Sequence, residues 1–116
     1  ANKIGTLDKA IAAKEFDVPF YVAAPTSTID KYCNSGKEIK IEDRSEDEVL
    51  YQTGLTKNGR LETILIATPG SKAINPAFDV TDSKYITGII TEYGIIKANK
   101  DAIREVIHKA ERGNNH

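Results

Sequence analysis

The segment Val18-Pro19-Phe20-Tyr21-Val22-Ala23-Ala24 constrains the fold most: it is a continuous apolar run, closed by Pro25. It is too short for a buried helix and rich in β-branched and aromatic side chains. Such a run predicts a strand covered on both faces, as in a parallel sheet. Ahead of it, Ile4, Leu7, Ala10, Ile11 and Lys14 recur at a 3-4-3 spacing, which predicts a short amphipathic helix. A helix that feeds such a strand is half of an α/β repeat, so the expected fold class is α/β. With 116 residues the chain is long enough for one domain with one core.

The hydroxyl-rich stretch Thr26-Ser27-Thr28-Ile29-Asp30 follows the strand. Ligands of open α/β sheets bind at that carboxyl edge. Ile39 and Ile41 alternate with Lys40 and Glu42 and predict a short strand, while Ser45-Glu46-Asp47-Glu48 is a capping-box pattern for one helical turn. Val49 to Ala67 predicts a β-hairpin, about 49–67, around Asn58-Gly59, a pair suited to a type I′ turn. Thr81 is expected to cap a helix carrying Tyr85, Ile86, Ile89 and Ile90 and stopped near Gly94, with Ile95-Ile96 as a brief strand. Asn99 should cap a last helix with Ile103, Val106, Ile107 and Ala110 on one side and Gly113 as its stop. The remainder, about 113–116, is expected to be a disordered tail.

A formal net charge of -1 leaves no global field that favours nucleic acid or an anionic membrane. No apolar run approaches the roughly 20 residues that a spanning helix needs. The lone Cys33 excludes an intrachain disulfide, which fits a reducing, cytoplasmic setting. The chain lacks methionine and starts at Ala1 with no signal-peptide pattern, so the expectation is a piece cut from a longer protein. No His/Cys cluster has metal-ligand spacing, and no G-x-G-x-x-G motif points to a dinucleotide, so neither a metal nor a cofactor is expected.

Four stretches together resemble the methylthioribose-1-phosphate isomerase family: Asn2-Lys3-Ile4-Gly5-Thr6, the run from Phe20 to Asp30, the run from Ile39 to Val49, and Asn75 to Thr81 with Tyr85 to Gly94. The same superfamily holds ribose-1,5-bisphosphate isomerase and the regulatory subunits of a translation-initiation exchange factor. The resemblance implies a Rossmann-like parallel sheet with flanking helices, present here as the incomplete half of a larger domain, with the hairpin as an insertion. It implies an aldose–ketose isomerase acting on 5-methylthioribose 1-phosphate, without cofactor. Its partners would be that small sugar phosphate, the N-terminal remainder of the same protein and a second copy in a homodimer. The family's catalytic aspartate and cysteine fall before Ala1, so this fragment alone is expected to be inactive, and the strand from Val18 to Ala24 to lack sheet neighbours. One departure is Asp82, where the family often has proline at a first helical position; Asp suits the helix dipole there as well.

Asn2 and Lys3 are the candidate substrate-binding residues. The resemblance places them on the sugar phosphate; an ammonium supplies a point charge for phosphate, and N–H groups at a helix start attract anions. Without the motif, Asn-Lys near a terminus is an ordinary solvated pair. Thr26, Ser27 and Thr28 either line a pocket mouth or satisfy their own turn. Asp30 suits a turn, and Asp79 suits a cap on the helix that follows it. Cys33 has no basic neighbour to activate it, and His108 and His116 suit surface and tail positions. The alternatives are ribose-1,5-bisphosphate isomerase or a non-catalytic regulatory and binding subunit; intact Asn2-Lys3-Ile4-Gly5-Thr6 favours the enzyme.

Overall fold

The computed structural model describes residues 1–114. In chain order its elements are β1 (Asn2–Lys3), α1 (Thr6–Glu15), β2 (Tyr21–Ala23), α2 (Asp47–Leu50), β3 (Tyr51–Leu55), β4 (Leu61–Leu65), β5 (Phe78–Asp79), β6 (Gly88–Thr91), β7 (Gly94–Ile96) and α3 (Lys100–Gly113). Short 3₁₀ turns occupy Thr26–Thr28, Gly36–Glu38 and Ser83–Tyr85. The chain forms two compact units, one of residues 1–40 with 79 onward, the other Ile41–Phe78.

The first unit is α/β, as expected, but its sheet is mixed rather than parallel. Three strands run in the order β2-β6-β7. β2 and β6 are parallel, with Tyr21 opposite Gly88 and Ala23 opposite Ile90, whereas β6 and β7 form an antiparallel hairpin. Two expectations for the apolar run are corrected. It does have a sheet neighbour, β6, and it is not covered on both faces: Tyr21 is 47% exposed and Ala23 is exposed too. β2 lies at the sheet edge, and Pro19, with no N–H, delays pairing until Phe20, whose N–H donates to Thr87 Oγ1 at 2.8 Å.

The helix expected after Thr81 is absent. Asp82 rather than Thr81 caps the 3₁₀ turn there, accepting from the Lys84 N–H at 3.0 Å, and the residues from Gly88 to Thr91 form β6. Ile86, Thr87, Ile89, Ile90 and Thr91 are all β-branched, and Gly88 would weaken a helix by about 1 kcal/mol. Pairing on both edges of β6 therefore overrides the helical spacing. Gly94 turns the β6–β7 hairpin at φ 110° instead of ending a helix. Ile39 and Ile41 form no strand, because the Gly36–Glu38 turn, capped by Ser35, takes the chain before them. α3 is as expected: the Asn99 side chain accepts from the Ala102 N–H at 2.8 Å. Gly113 is its last residue and Asn114 its cap, so these two are not a disordered tail. Residues 115 and 116 of the expected tail lie outside the described residues. Among the described residues of this unit, the buried side chains are Ala10 of α1, Val106 of α3 and Thr91.

In the second unit β3 and β4 pair antiparallel, from Tyr51 opposite Leu65 to Leu55 opposite Leu61. The turn is not type I′: only Gly59 has positive φ, at 80°, and the Gly59 N–H donates to Thr56 O. That is a type I turn followed by a left-handed glycine, the usual three-residue solution. Ser45 Oγ accepts from the Asp47 N–H at the start of α2. Glu48 does not close the capping box; it pairs with Arg44 at 2.8 Å, and that pairing, followed by the Asn75 amide, holds its carboxyl below the usual carboxylate range. The two ends of the unit are joined, Ala77 N–H to Glu42 O and Arg44 N–H to Asn75 O.

Gly88 marks the tightest place in the sheet. A Cβ there would lie 3.1 Å from the Tyr21 ring and 3.2 Å from both Ile95 Cγ2 and Ile96 O. Gly88→Ala is expected to destabilise the protein by about 1–3 kcal/mol, as overpacking does. Denaturant unfolding checks this; an unchanged midpoint would contradict the packing described.

Candidate functional site

α1 begins at Gly5, which has φ 101° and ψ -13° and no side chain to cap the helix. The missing cap comes from Asp79. Its Oδ2 accepts from the Gly5 N–H at 2.8 Å, and both its oxygens accept from the Leu7 N–H at 3.1 Å, across 74 and 72 residues of sequence. Asp79 therefore does cap a helix, but the one far behind it in the chain and not the one expected to follow. Two N–H groups at the start of α1 thus already donate to a carboxylate.

Asn2 and Lys3 form the exposed strand β1 just before this cap. Asn2 Oδ1 accepts from the Lys3 N–H at 2.7 Å, and Thr6 Oγ1 donates to Lys3 O at 2.7 Å. Asn2 lines a cavity of about 330 Å³ at the carboxyl end of β2, with Thr6, Thr28 and Thr81 as its polar lining and Val22 to Pro25 with Ile86 as its apolar lining. Lys3 is exposed and does not line it. The two candidate residues are thus adjacent, but only Asn2 faces this space. Thr81 Oγ1 is buried and has no hydrogen-bond partner among the described residues. A buried hydroxyl without a partner is costly, and a ligand in the cavity is one way to satisfy it.

The Thr26–Thr28 turn does both things the sequence left open. Thr28 lines the cavity while its hydroxyl donates to Pro25 O at 2.8 Å. Thr26 is tied to Glu92: its N–H donates to the two carboxylate oxygens at 3.2 and 2.9 Å, and its hydroxyl donates to Oε1. Those bonds, the Thr26 hydroxyl first, hold the Glu92 carboxyl below the usual carboxylate range. Ser27 is exposed and does not line the cavity.

The remaining candidates have ordinary roles. Asp30 Oδ1 accepts from the Tyr32 N–H in a turn, and Cys33 Sγ donates to Ser35 O at 3.2 Å. His108 is exposed on α3, and His116 lies outside the described residues. A more open cavity of about 890 Å³ shares Thr28 and Thr81 and includes Cys33, but neither Asn2 nor Lys3. Among the described residues no group of three or more His, Cys, Asp or Glu stands close enough to hold a metal ion, and no helix is long and apolar enough to cross a membrane.

Sequence reasoning missed the partner of Asp79, the Glu92–Thr26 tie and the orphaned Thr81 hydroxyl. One signal was there for the first: a helix that starts at glycine has no capping side chain of its own and leaves its first N–H groups open to an acceptor from elsewhere. The other two arise from strand register and carry no local signature.

Comparison with known proteins gives a consistent result. A model of the initiation factor 2 subunit family matches residues 1–98. Methylthioribose-1-phosphate isomerase of Methylocella silvestris is 46% identical over 113 residues, covering 97% of this chain and 31% of that relative. The crystal structure of 5-methylthioribose 1-phosphate isomerase from Pyrococcus horikoshii matches with a TM-score of 0.72 at 42% identity, over 95% of this chain and 28% of its own. The translation initiation factor eIF-2B, subunit delta, from A. fulgidus matches with a TM-score of 0.74 at 35% identity, over 92% of this chain and 29% of its own. The chain therefore spans under a third of the length of these relatives.

The Asp79 cap is open to a direct test. Asp79→Ala leaves two N–H groups of the α1 start without their acceptor and is expected to cost about 0.5–2 kcal/mol, with Asp79→Asn losing less. Hydrogen exchange should accelerate at the Gly5 and Leu7 amides in the alanine variant before it does in β6. Equal protection of both amides in variant and parent would refute the cap.

Proposed function

Because the chain belongs to the initiation factor 2 subunit family, we propose that it is the C-terminal part of a sugar-phosphate isomerase that converts 5-methylthioribose 1-phosphate to 5-methylthioribulose 1-phosphate. The observation that carries this reading is the cavity at the carboxyl end of β2, lined by an apolar strand end together with Asn2 and with Thr81, whose buried hydroxyl has no partner among the described residues. A few polar groups in a largely apolar cleft suit a small polar ligand with an apolar substituent. The similarity to methylthioribose-1-phosphate isomerases supports the choice of substrate.

In the reaction proposed, the bond between C1 and the ring oxygen breaks, the hydrogen on C2 is delivered to C1, and the C2 hydroxyl becomes the carbonyl as its proton passes to the former ring oxygen, while the phosphate stays on C1. The aspartate and cysteine that move the protons lie on polypeptide outside this chain. Asn2 holds a sugar hydroxyl or phosphate oxygen through its amide. Lys3 supplies a full positive charge to the phosphate, beside an α1 start where the Gly5 and Leu7 N–H groups already donate to Asp79. The intact domain is then a Rossmann-like sheet to which these strands contribute one portion, with β3 and β4 as an insertion. Phe16 and Tyr32, 78% and 81% exposed, are among the apolar side chains for the N-terminal remainder or a second copy to cover in a homodimer.

A second reading is a non-catalytic regulatory subunit, favoured by the match to the eIF-2B delta subunit. Turnover by the intact protein separates the two readings. If Lys3 holds phosphate, Lys3→Ala in the intact protein should lower kcat/KM by about 10- to 150-fold, the equivalent of one charge-assisted contact of roughly 1.5–3 kcal/mol. The loss should fall mainly on KM. Cys33→Ser should be near neutral. A change within twofold for Lys3→Ala, or loss of turnover in a folded Cys33→Ser protein, would refute these assignments; no turnover by the parent would favour the regulatory reading.

A further inference from the structure

β6 runs parallel to β2, so the residues just past their carboxyl ends come out side by side. The register Tyr21–Gly88, Val22–Ile89 and Ala23–Ile90 is extended by the Ala24 N–H donating to Ile90 O at 2.9 Å. The next residues are Pro25 and Thr26 on one strand, Thr91 and Glu92 on the other. Pro25 has no N–H, and Thr26 opens a 3₁₀ turn, so its N–H has no acceptor within that turn. Glu92 supplies one, taking the Thr26 N–H on both oxygens and the Thr26 hydroxyl on one.

Glu92 is itself presented by a fixed turn. Thr91 Oγ1 donates to Gly94 O at 2.8 Å and accepts from the Tyr93 N–H at 3.1 Å, bracketing Glu92. On the far side of the tie, Thr28 returns its N–H and hydroxyl to Pro25 O, and both Pro25 and Thr28 line the cavity that Asn2 enters. Glu92 does not line that cavity.

We propose that Glu92 is a positioning residue of this site: its carboxylate clamps the Thr26–Thr28 turn and so sets the wall against which the ligand packs opposite Asn2. This rests on the sugar-phosphate reading above. Glu92 touches no reacting atom. Its effect passes through Thr26, so removing it should weaken ligand binding without removing a chemical step.

The test uses the intact protein with 5-methylthioribose 1-phosphate and compares Glu92→Ala, Glu92→Gln and Thr26→Val. Glu92→Ala should raise KM roughly tenfold with kcat within threefold, the scale of one lost charge-assisted hydrogen bond. Glu92→Gln keeps an acceptor for the Thr26 N–H and should restore KM to within about threefold of the parent. Hydrogen exchange across residues 25–29 should accelerate in the alanine variant and recover in the glutamine variant. A folded Glu92→Ala protein with parental KM overturns the proposal. So does a loss of kcat at unchanged KM, which would mark a direct chemical role. If Glu92→Ala does not fold, Thr26→Val decides, with a KM rise of about threefold expected and a parental KM fatal. A parent that neither binds nor turns over the sugar phosphate overturns the functional reading and the clamp's ligand role together, whereas an active parent with a silent Glu92→Ala overturns the clamp alone.

Discussion

The carboxylate of Asp79 on the first turn of α1 is the contact from which the geometry of the candidate site follows. Gly5 lets the chain swing into the helix through a left-handed conformation, but glycine brings no acceptor for the N–H groups it exposes. Asp79 provides one from 74 residues away. That fixes where α1 starts, hence where β1 ends, hence how Asn2 reaches the carboxyl end of β2. The same contact spends the helix's affinity for anions on an internal carboxylate. The Gly5 and Leu7 N–H groups are thereby occupied within the protein.

The sheet edge supplies the second half of the site. β2 and β6 are parallel, so their carboxyl ends project two loops toward one side, and Glu92 joins those loops through Thr26. The cavity is thus defined by two carboxylates that do not enter it. Asp79 orders the segment carrying Asn2; Glu92 orders the turn facing it. Each satisfies backbone groups that the local sequence leaves open, the glycine start of α1 in one case and the residue after a proline in the other.

The parts of the fold legible in the sequence were those whose secondary structure follows from the local pattern alone. α1, α3 with its Asn99 cap, the hairpin around Gly59 and the strand after Pro19 carry their own signals. Residues 81–94 misled because Tyr85, Ile86, Ile89 and Ile90 fit a helical stripe, whereas strand neighbours at Gly88 and its β-branched flanks decide the outcome. The type I′ expectation failed because Asn58 tolerates positive φ without requiring it, and the chain needed only Gly59 there. In the site, Asn2 and Lys3 rested on the family motif alone. Asp79 and Glu92 act through partners more than 60 residues distant, information that no local window contains.

The second unit has a property of its own. It is one continuous stretch, Ile41–Phe78, whose entering and leaving chains pair with each other through Glu42, Arg44, Asn75 and Ala77. Antiparallel residues so paired have Cα atoms about 4.5–5.5 Å apart, so the chain between them is a closed loop. Closing a longer or shorter loop changes the chain entropy slowly, by about 0.6 kcal/mol for each doubling of length. Lengthening, trimming or replacing the β3–β4 ribbon is therefore a change of small entropic cost.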